Sequence, residues 1–329
     1  MKKLNKLRAA YAFSSCAGCD VAVVNLGEKL LSLSEKVEFV YWTTATDFKM
    51  EDLKSYKELD LAIVAGSIRT SEHEELVRLL RQNSKLMVAL GSCACFGGIP
   101  SLANLYDKNT LLNTVYIKSP SSSGGKEVPK LSTKLGEIEL TIPEFKDWCD
   151  PIDHIVSVNV YVPGCPPQEG TLDWFARTID EYYQTHNAPN GLILASEKSL
   201  CDTCPRKLPK EISIDKLYRI HEIKLDETKC FLQQGVLCQG PVTRGGCNER
   251  CIRANVTCMG CMGTIPAVKD PGAKLISVIG SILQSNKEKQ LGEEGLKKIV
   301  ENMHDLIGSF YTYSLPFSYV EKIKRGKSK

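Results

Sequence analysis

LDLAIVAGSIRTSEHEELVRLLRQNSKLMVALGSCACFGG, residues 59–98, decides the fold. Its opening LDLAIVAGS (59–67) is a short, continuous apolar run ending in Gly-Ser, the pattern of a strand buried on both faces. SEHEELVRLLRQ (71–82) reads as a helix, with Ser71 as N-cap and Glu74 three residues on at capping-box spacing. KLMVALGSCACFGG (85–98) is a second buried strand that delivers Cys93 and Cys95 into a glycine-rich turn. Two buried strands joined through a helix make a parallel unit.

The same alternation extends on both sides. LRAAYAF (7–13) reads as a strand running into SSCAGCD, with Cys16 and Cys19, then a helix from Val21 to Leu33 and a strand from Val37 to Tyr41. HIVSVNVYVPGCPPQEG (154–170) delivers Cys165, and LDWFARTIDEYYQ forms the helix after it. Repetition of this kind predicts an α/β fold with a doubly wound parallel sheet, in which ligands bind beyond the carboxyl ends of the strands. Cys16 and Cys19, Cys93, and Cys165 follow three different strands, each beside Gly or Pro, so four thiolates distant in sequence are expected at one metal site. From Leu102 to Trp148 the alternation lapses, and SPSSSGGKEVPK (119–130) reads as an exposed loop.

Eight of the fourteen cysteines fall between Cys201 and Cys261, in CDTC (Cys201, Cys204), CFLQQGVLC (Cys230, Cys238), GCNERC (Cys247, Cys251) and CMGC (Cys258, Cys261). The residues among them are mostly Gly, Pro, Thr, Asn and Gln, so side chains alone are expected to supply little core. Thiolates at these spacings bind metal in sets of four. Disulfides need an oxidising compartment. The amino terminus, MKKLNKLRAAYAF, has too short an apolar run for an export signal and no twin-arginine pair, so the chain is expected to be cytoplasmic. Zinc and iron–sulfur both remain open on the eight cysteines. Beyond them, Leu296, Ile299, Val300, Met303, Leu306 and Ile307 share one helical face, and KIKRGKSK reads as a solvated, frayed tail.

Composition sets the outer limits. A chain of 329 residues with 43% hydrophobic and 25% charged residues can bury a substantial core. Its net charge of +3, with basic and acidic residues well mixed, gives no footprint for nucleic acid. The longest apolar run, LISVIGSIL (275–283), is far short of a membrane span. The histidines, His73, His154, His186, His221 and His304, show no metal-ligand spacing. GSCACFGG lacks the GxGxxG spacing, and no nucleophile–base pair or phosphate loop appears, so the chain is expected to perform no bond chemistry of its own.

CxGC, GSCxxxGG, PGCPP and the eight-cysteine segment with GPVTRGGC, in that order over residues 8–265, resemble the small subunit of nickel–iron hydrogenases. GIPSLANLYD, YVPGCPP, LCDTCPR and the IHEI segment look most like the cytosolic, multi-subunit type, the coenzyme F420-non-reducing (methyl-viologen-reducing) hydrogenases of methanogens and relatives. The resemblance implies a flavodoxin-like domain over residues 1–190, a loop-rich cluster domain over 191–265 and a helical extension over 266–329. It implies three [4Fe–4S] clusters: a proximal one on Cys16, Cys19, Cys93 and Cys165, a distal one on Cys201, Cys204, Cys230 and Cys238, and a medial one on Cys247, Cys251, Cys258 and Cys261. Periplasmic members of the family use histidine as first distal ligand and carry a proline near the position of Cys251, with a three-iron medial cluster. The cysteines here imply complete four-iron clusters of lower potential, because added thiolate charge favours the oxidised state.

Partners implied by the resemblance are the nickel–iron large subunit, a small iron–sulfur subunit and a heterodisulfide reductase complex as electron acceptor. An F420-reducing or NAD(P)-linked hydrogenase small subunit is the alternative with the same fold. A zinc-stabilised interaction protein would explain the eight-cysteine segment but not four more cysteines at strand ends. A relative carrying only the proximal cluster would leave eight cysteines unused. Cys95 is expected to pack beside the proximal ligands, Cys149 to be inert, and His221 not to be a ligand, because each cluster already has four thiols.

Overall fold

A computed structural model describes residues 5–13, 16–56, 58–121, 127–214, 216–283, 303 and 305–327. The strands in chain order are β1 (Leu7–Phe13), β2 (Val37–Trp42), β3 (Leu59–Ala65), β4 (Ile68–Thr70), β5 (Ser84–Leu90), β6 (Ser132–Leu135), β7 (Ile138–Thr141), β8 (Phe145–Asp150), β9 (Val160–Val162) and β10 (Leu192–Ile193). Six of them form one sheet in the order β10-β9-β5-β3-β1-β2, and every pairing within it is parallel. Taking these six strands alone in chain order, the arrangement is 2-1-3-4-5 with a sixth edge strand, the flavodoxin-like doubly wound order. The α/β expectation therefore holds.

The continuous apolar strands place side chains on both faces. Leu7, Ala9, Tyr11, Leu61, Ile63, Leu86, Val88 and Leu90 enter one core, closed by Val23 and by Leu172, Phe175, Ile179 and Tyr182 of the helix Glu169–Thr185. Ala10, Ala12, Ala62, Val64, Met87 and Ala89 enter the opposite core, closed by Leu53, Val77 and Leu80. Period-two alternation of this kind is what separates the faces of a strand.

Local boundaries differ from the sequence reading for physical reasons. The helix expected over 21–33 is two, Gly18–Val24 and Glu28–Ser34, broken where Gly27 takes φ 57°. The N-cap of the helix Ser71–Asn83 is Thr70, whose Oγ1 accepts from the His73 N–H at 3.3 Å. Ser71 instead exchanges hydrogen bonds with Glu144, its N–H donating to Glu144 O and its Oγ accepting from Glu144 N–H. The antiparallel β4–β8 pairing thus recruits the residue that capping-box spacing selects. Thr70→Ala is expected to cost about 1 kcal/mol, read as a lowered urea midpoint at unchanged slope. The strand expected at 154–170 is only β9: a 3-10 turn over Ile152–His154 precedes it, and Pro163 has no N–H to continue the ladder beyond it. Cys93 lies in a short helix, Gly91–Phe96, rather than an open turn.

Between Leu102 and Trp148, where the alternation lapses, the chain forms the β6–β7 hairpin, all eight of whose strand residues are exposed. Part of the 119–130 stretch, residues 122–126, lies outside the described residues.

The cysteine-rich segment is better packed than its composition suggests. Leu200, Phe231, Val236, Val242 and Ile252 share a third core with Leu275, Ile279 and Ile282 of the helix Pro271–Ile282 and with Phe310 and Tyr311 of the helix Leu306–Tyr311. Asp270, buried, caps the first of these helices by accepting from the Ala273 N–H and also accepts from the Tyr311 hydroxyl at 2.7 Å and the Tyr319 N–H at 2.8 Å. Of the apolar stripe expected at 295–307, Leu296, Ile299 and Val300 lie outside the described residues, while Met303, Leu306 and Ile307 pack against this core. The tail is helical over Tyr319–Lys327. It is anchored where Arg325 reaches Asp150 and Glu321 and where Glu321 accepts from the Asn104 amide. No helix of the described residues is long and apolar enough to cross a membrane.

Candidate iron–sulfur sites

β1, β3, β5 and β9 are neighbours in the sheet, and their carboxyl ends open on one cleft. Cys16, Cys19, Cys93 and Cys165 line it together with Ala65, Gly66, Ser92, Gly164 and Pro166. Burial pushes the Cys19 thiol up to about 12, with further contributions from Cys93, Cys165 and Cys16, so the four sulfurs lie within electrostatic reach of one another. Four ionised thiols at that separation repel, and they are stable as thiolates only around a cation. Gly91, at φ 84°, lets the β5 turn pass close to Cys19, for a Cβ there would stand 2.3 Å from the Cys19 sulfur. Asp20 also lines the cleft, but its carboxylate is engaged by the Trp42 indole N–H at 2.7 Å and by the Thr44 hydroxyl.

The eight later cysteines gather in two groups. Cys201, pushed up to about 12 by burial, also feels Cys238, Cys230 and Cys204. Cys261, likewise pushed up to about 12 by burial, feels Cys247 and Cys251. The Cys258 thiol is raised by burial and by Cys238 and Cys261, and it lies where the two groups meet.

The three groups are joined in series. The Ser92 hydroxyl, beside Cys93, donates to Cys261 O at 2.6 Å, and the Cys165 N–H donates to the Cys261 sulfur. At the other end of the middle group, the Cys258 N–H donates to the Cys238 sulfur and Gln239 N–H donates to Cys258 O at 2.9 Å. The first group therefore touches the 247–261 group, and that group touches the 201–238 group.

The donors suit iron–sulfur clusters. The thiols are soft donors, and Cys238, Cys247 and Cys261 among them accept backbone N–H bonds, which is the usual environment of cluster ligands. Among the described residues no three His, Cys, Asp or Glu side chains converge as the ligands of a single metal ion would.

Of the remaining cysteines, Cys95 lies beside the first group, where it feels Cys19 and Cys93. Cys95 is fully buried, its thiol donating to Ala89 O at 3.3 Å. Cys149 is buried and donates to the Ser67 hydroxyl at 3.2 Å. His221 is exposed. Tyr313 has no signal in the sequence, yet it is packed beside Cys165, Cys261 and Cys251 and hydrogen-bonded to Cys165, with burial foremost in raising its phenol pKa. It lies more than fifty residues beyond Cys261 and belongs to no cysteine motif, so only the tertiary fold reveals it.

The sequence is similar to known proteins over most of its length. Residues 16–181 match the family described as NADH ubiquinone oxidoreductase, 20 Kd subunit. The chain is 38% identical to the iron–sulfur subunit of the F420-non-reducing hydrogenase of Archaeoglobus profundus, across 96% of this chain and 98% of that one. It is 31% identical to a subunit of the F420-non-reducing hydrogenase of Methanothermobacter marburgensis, across 94% of each. A solved NAD+-reducing [NiFe]-hydrogenase in the H2-reduced state aligns with 30% identity and a TM-score of 0.44, over 55% of this chain and 90% of the matched one.

Proposed function

The chain belongs to the family of the NADH ubiquinone oxidoreductase 20 Kd subunit and, within it, to the iron–sulfur subunits of F420-non-reducing hydrogenases, and from that premise we propose that it is the electron-transfer small subunit of a nickel–iron hydrogenase. It would carry no hydrogen-activating centre of its own and would work against a large subunit that does. Cys16, Cys19, Cys93 and Cys165 would hold a proximal [4Fe–4S] cluster, Cys247, Cys251, Cys258 and Cys261 a medial one, and Cys201, Cys204, Cys230 and Cys238 a distal one. Such clusters accept and release one electron at a time. A small iron–sulfur subunit and a heterodisulfide reductase complex are the proposed recipients.

The observation that carries this reading is the serial contact of the three thiol groups, from Cys165 to Cys261 and from Cys258 to Cys238. The chain's own part is to keep the sites close and fixed. Ser92 pins the loop of Cys261 against that of Cys93. Thr243, whose N–H donates to Gly240 O and whose hydroxyl donates to Gln239 O, fixes the turn behind Cys238.

Order along the relay is testable. Cys201→Ser should cut reduction of the acceptor by about tenfold or more while leaving hydrogen–deuterium exchange at the large subunit intact. Equal loss of both activities would count against a distal position for Cys201.

A further inference from the structure

Arg206 follows Cys204 by two residues and is only 6% exposed. Its guanidinium donates from Nη1 to Asp226 O at 2.7 Å and to Lys229 O at 2.8 Å, and from Nη2 to Asn255 Oδ1 at 2.5 Å. It lies over the Phe231 ring at 3.8 Å. Lys229 and Phe231 flank Cys230, so the charge is held against the backbone supplying two of the four cysteines of the distal group. All of these partners are neutral. The Asp226 carboxylate faces Thr228 and Lys229 instead, the Arg206 Nε is buried without a partner, and among the described residues Arg206 forms no ion pair. A buried cation is costly unless an anion lies near it. Cys204 lies two residues before Arg206 and Cys230 directly follows the Lys229 whose carbonyl Arg206 binds, so the anion that would offset it is the thiolate set of Cys201, Cys204, Cys230 and Cys238.

We propose that Arg206 sets the reduction potential of the distal site: its buried positive charge stabilises the more negative, reduced state and raises the potential there. The inference rests on the reading of those four cysteines as a cluster site. Reduction adds one electron and one unit of negative charge, which the fixed guanidinium favours without moving. A raised potential at the end of the relay would draw electrons outward from the medial site.

The test is an EPR-monitored redox titration of the purified complex, with iron counted in each preparation and the distal signal identified as the one that Cys230→Ala removes. Arg206→Gln should make reduction about tenfold less favourable, 59 mV more negative for one electron, at unchanged iron content, and Arg206→Lys should restore most of that shift. Asn255→Asp covers the case in which Arg206→Gln fails to assemble. It keeps the hydrogen bond and the left-handed backbone at φ 58°, which Asp tolerates, while a new carboxylate cancels the guanidinium field. It should lower the potential in the same direction. A fully loaded Asn255→Asp complex with an unchanged potential, or an Arg206→Lys shift as large as that of Arg206→Gln, would reduce Arg206 to a mechanical clamp and overturn the proposal. A wild-type complex without iron at these cysteines would instead refute the relay reading, and the iron count shows that separately.

Discussion

Gly91→Ala is expected to remove the proximal site, leaving about four fewer iron atoms per chain while the sheet still folds. The added Cβ would stand 2.3 Å from the Cys19 sulfur and 3.6 Å from Gly164 O, so the sulfur must leave the position from which it faces Cys16, Cys93 and Cys165. A side chain at φ 84° adds backbone strain of about 1–2 kcal/mol. Gly27→Ala separates the two effects. Gly27 also has positive φ, 57°, but nothing lies within 4 Å of its virtual Cβ. Its alanine variant should show a loss of stability of similar origin with full iron content. Iron and acid-labile sulfide assays on both variants, with circular dichroism to confirm the fold, would decide. Full iron in Gly91→Ala would mean that Cys19 is not fixed as a ligand.

Arg325→Ala is expected to be strongly destabilising, by about 3–5 kcal/mol. Arg325 donates to Asp150 and to Glu321, both at 2.5 Å, and the side chains of those carboxylates are only 9% and 1% exposed. Truncation leaves two buried carboxylates without their shared cation, and the helix Tyr319–Lys327 loses its link to β8. A denaturant midpoint falling at constant slope would measure the loss. The pH profile gives a second reading. Burial opposes ionisation of Asp150, but hydrogen bonds from His154 and Arg325 outweigh it and hold its carboxyl below the usual carboxylate value. A depressed folded-state pKa contributes stability that is present above the unfolded value of about 3.9 and is lost as pH falls through the folded value. The wild-type chain should therefore lose this increment in acid, and Arg325→Ala should lose less there because the part that Arg325 supplies beside His154 is already gone. A variant with the wild-type midpoint and acid profile would show that the helix is held by its apolar contacts alone.

What could be read from the sequence follows a physical division. Strands of a parallel sheet are buried on both faces, so LRAAYAF, LDLAIVAG and KLMVAL announce themselves as apolar runs, and the cysteines just beyond them inherit a common edge of the sheet. Convergence of Cys16, Cys19, Cys93 and Cys165 was accessible for that reason. The division of the other eight had no such guide, because their segment has almost no regular structure, and it came from resemblance. Long-range partners were equally invisible. Ser71 has ideal capping-box spacing, but Glu144, just before β8, takes its hydroxyl and Thr70 caps the helix instead. KIKRGKSK looks like solvated tail by charge, yet Lys324 donates to Asn104 O and Arg325 pairs with Asp150, 175 residues away in the chain. The third core likewise needs the helices Pro271–Ile282 and Leu306–Tyr311 to complete apolar residues that show no period of their own.

The central claim is that twelve cysteines hold three four-iron clusters in series. Anaerobic iron and acid-labile sulfide analysis of the purified complex, with partner contributions subtracted and spectra recorded on reduction, tests it most directly. The account predicts about twelve iron atoms and an equal amount of sulfide per copy of this chain. About eleven iron atoms with a three-iron signal would remove Cys251 from the medial set, and zinc with little sulfide would contradict the relay altogether.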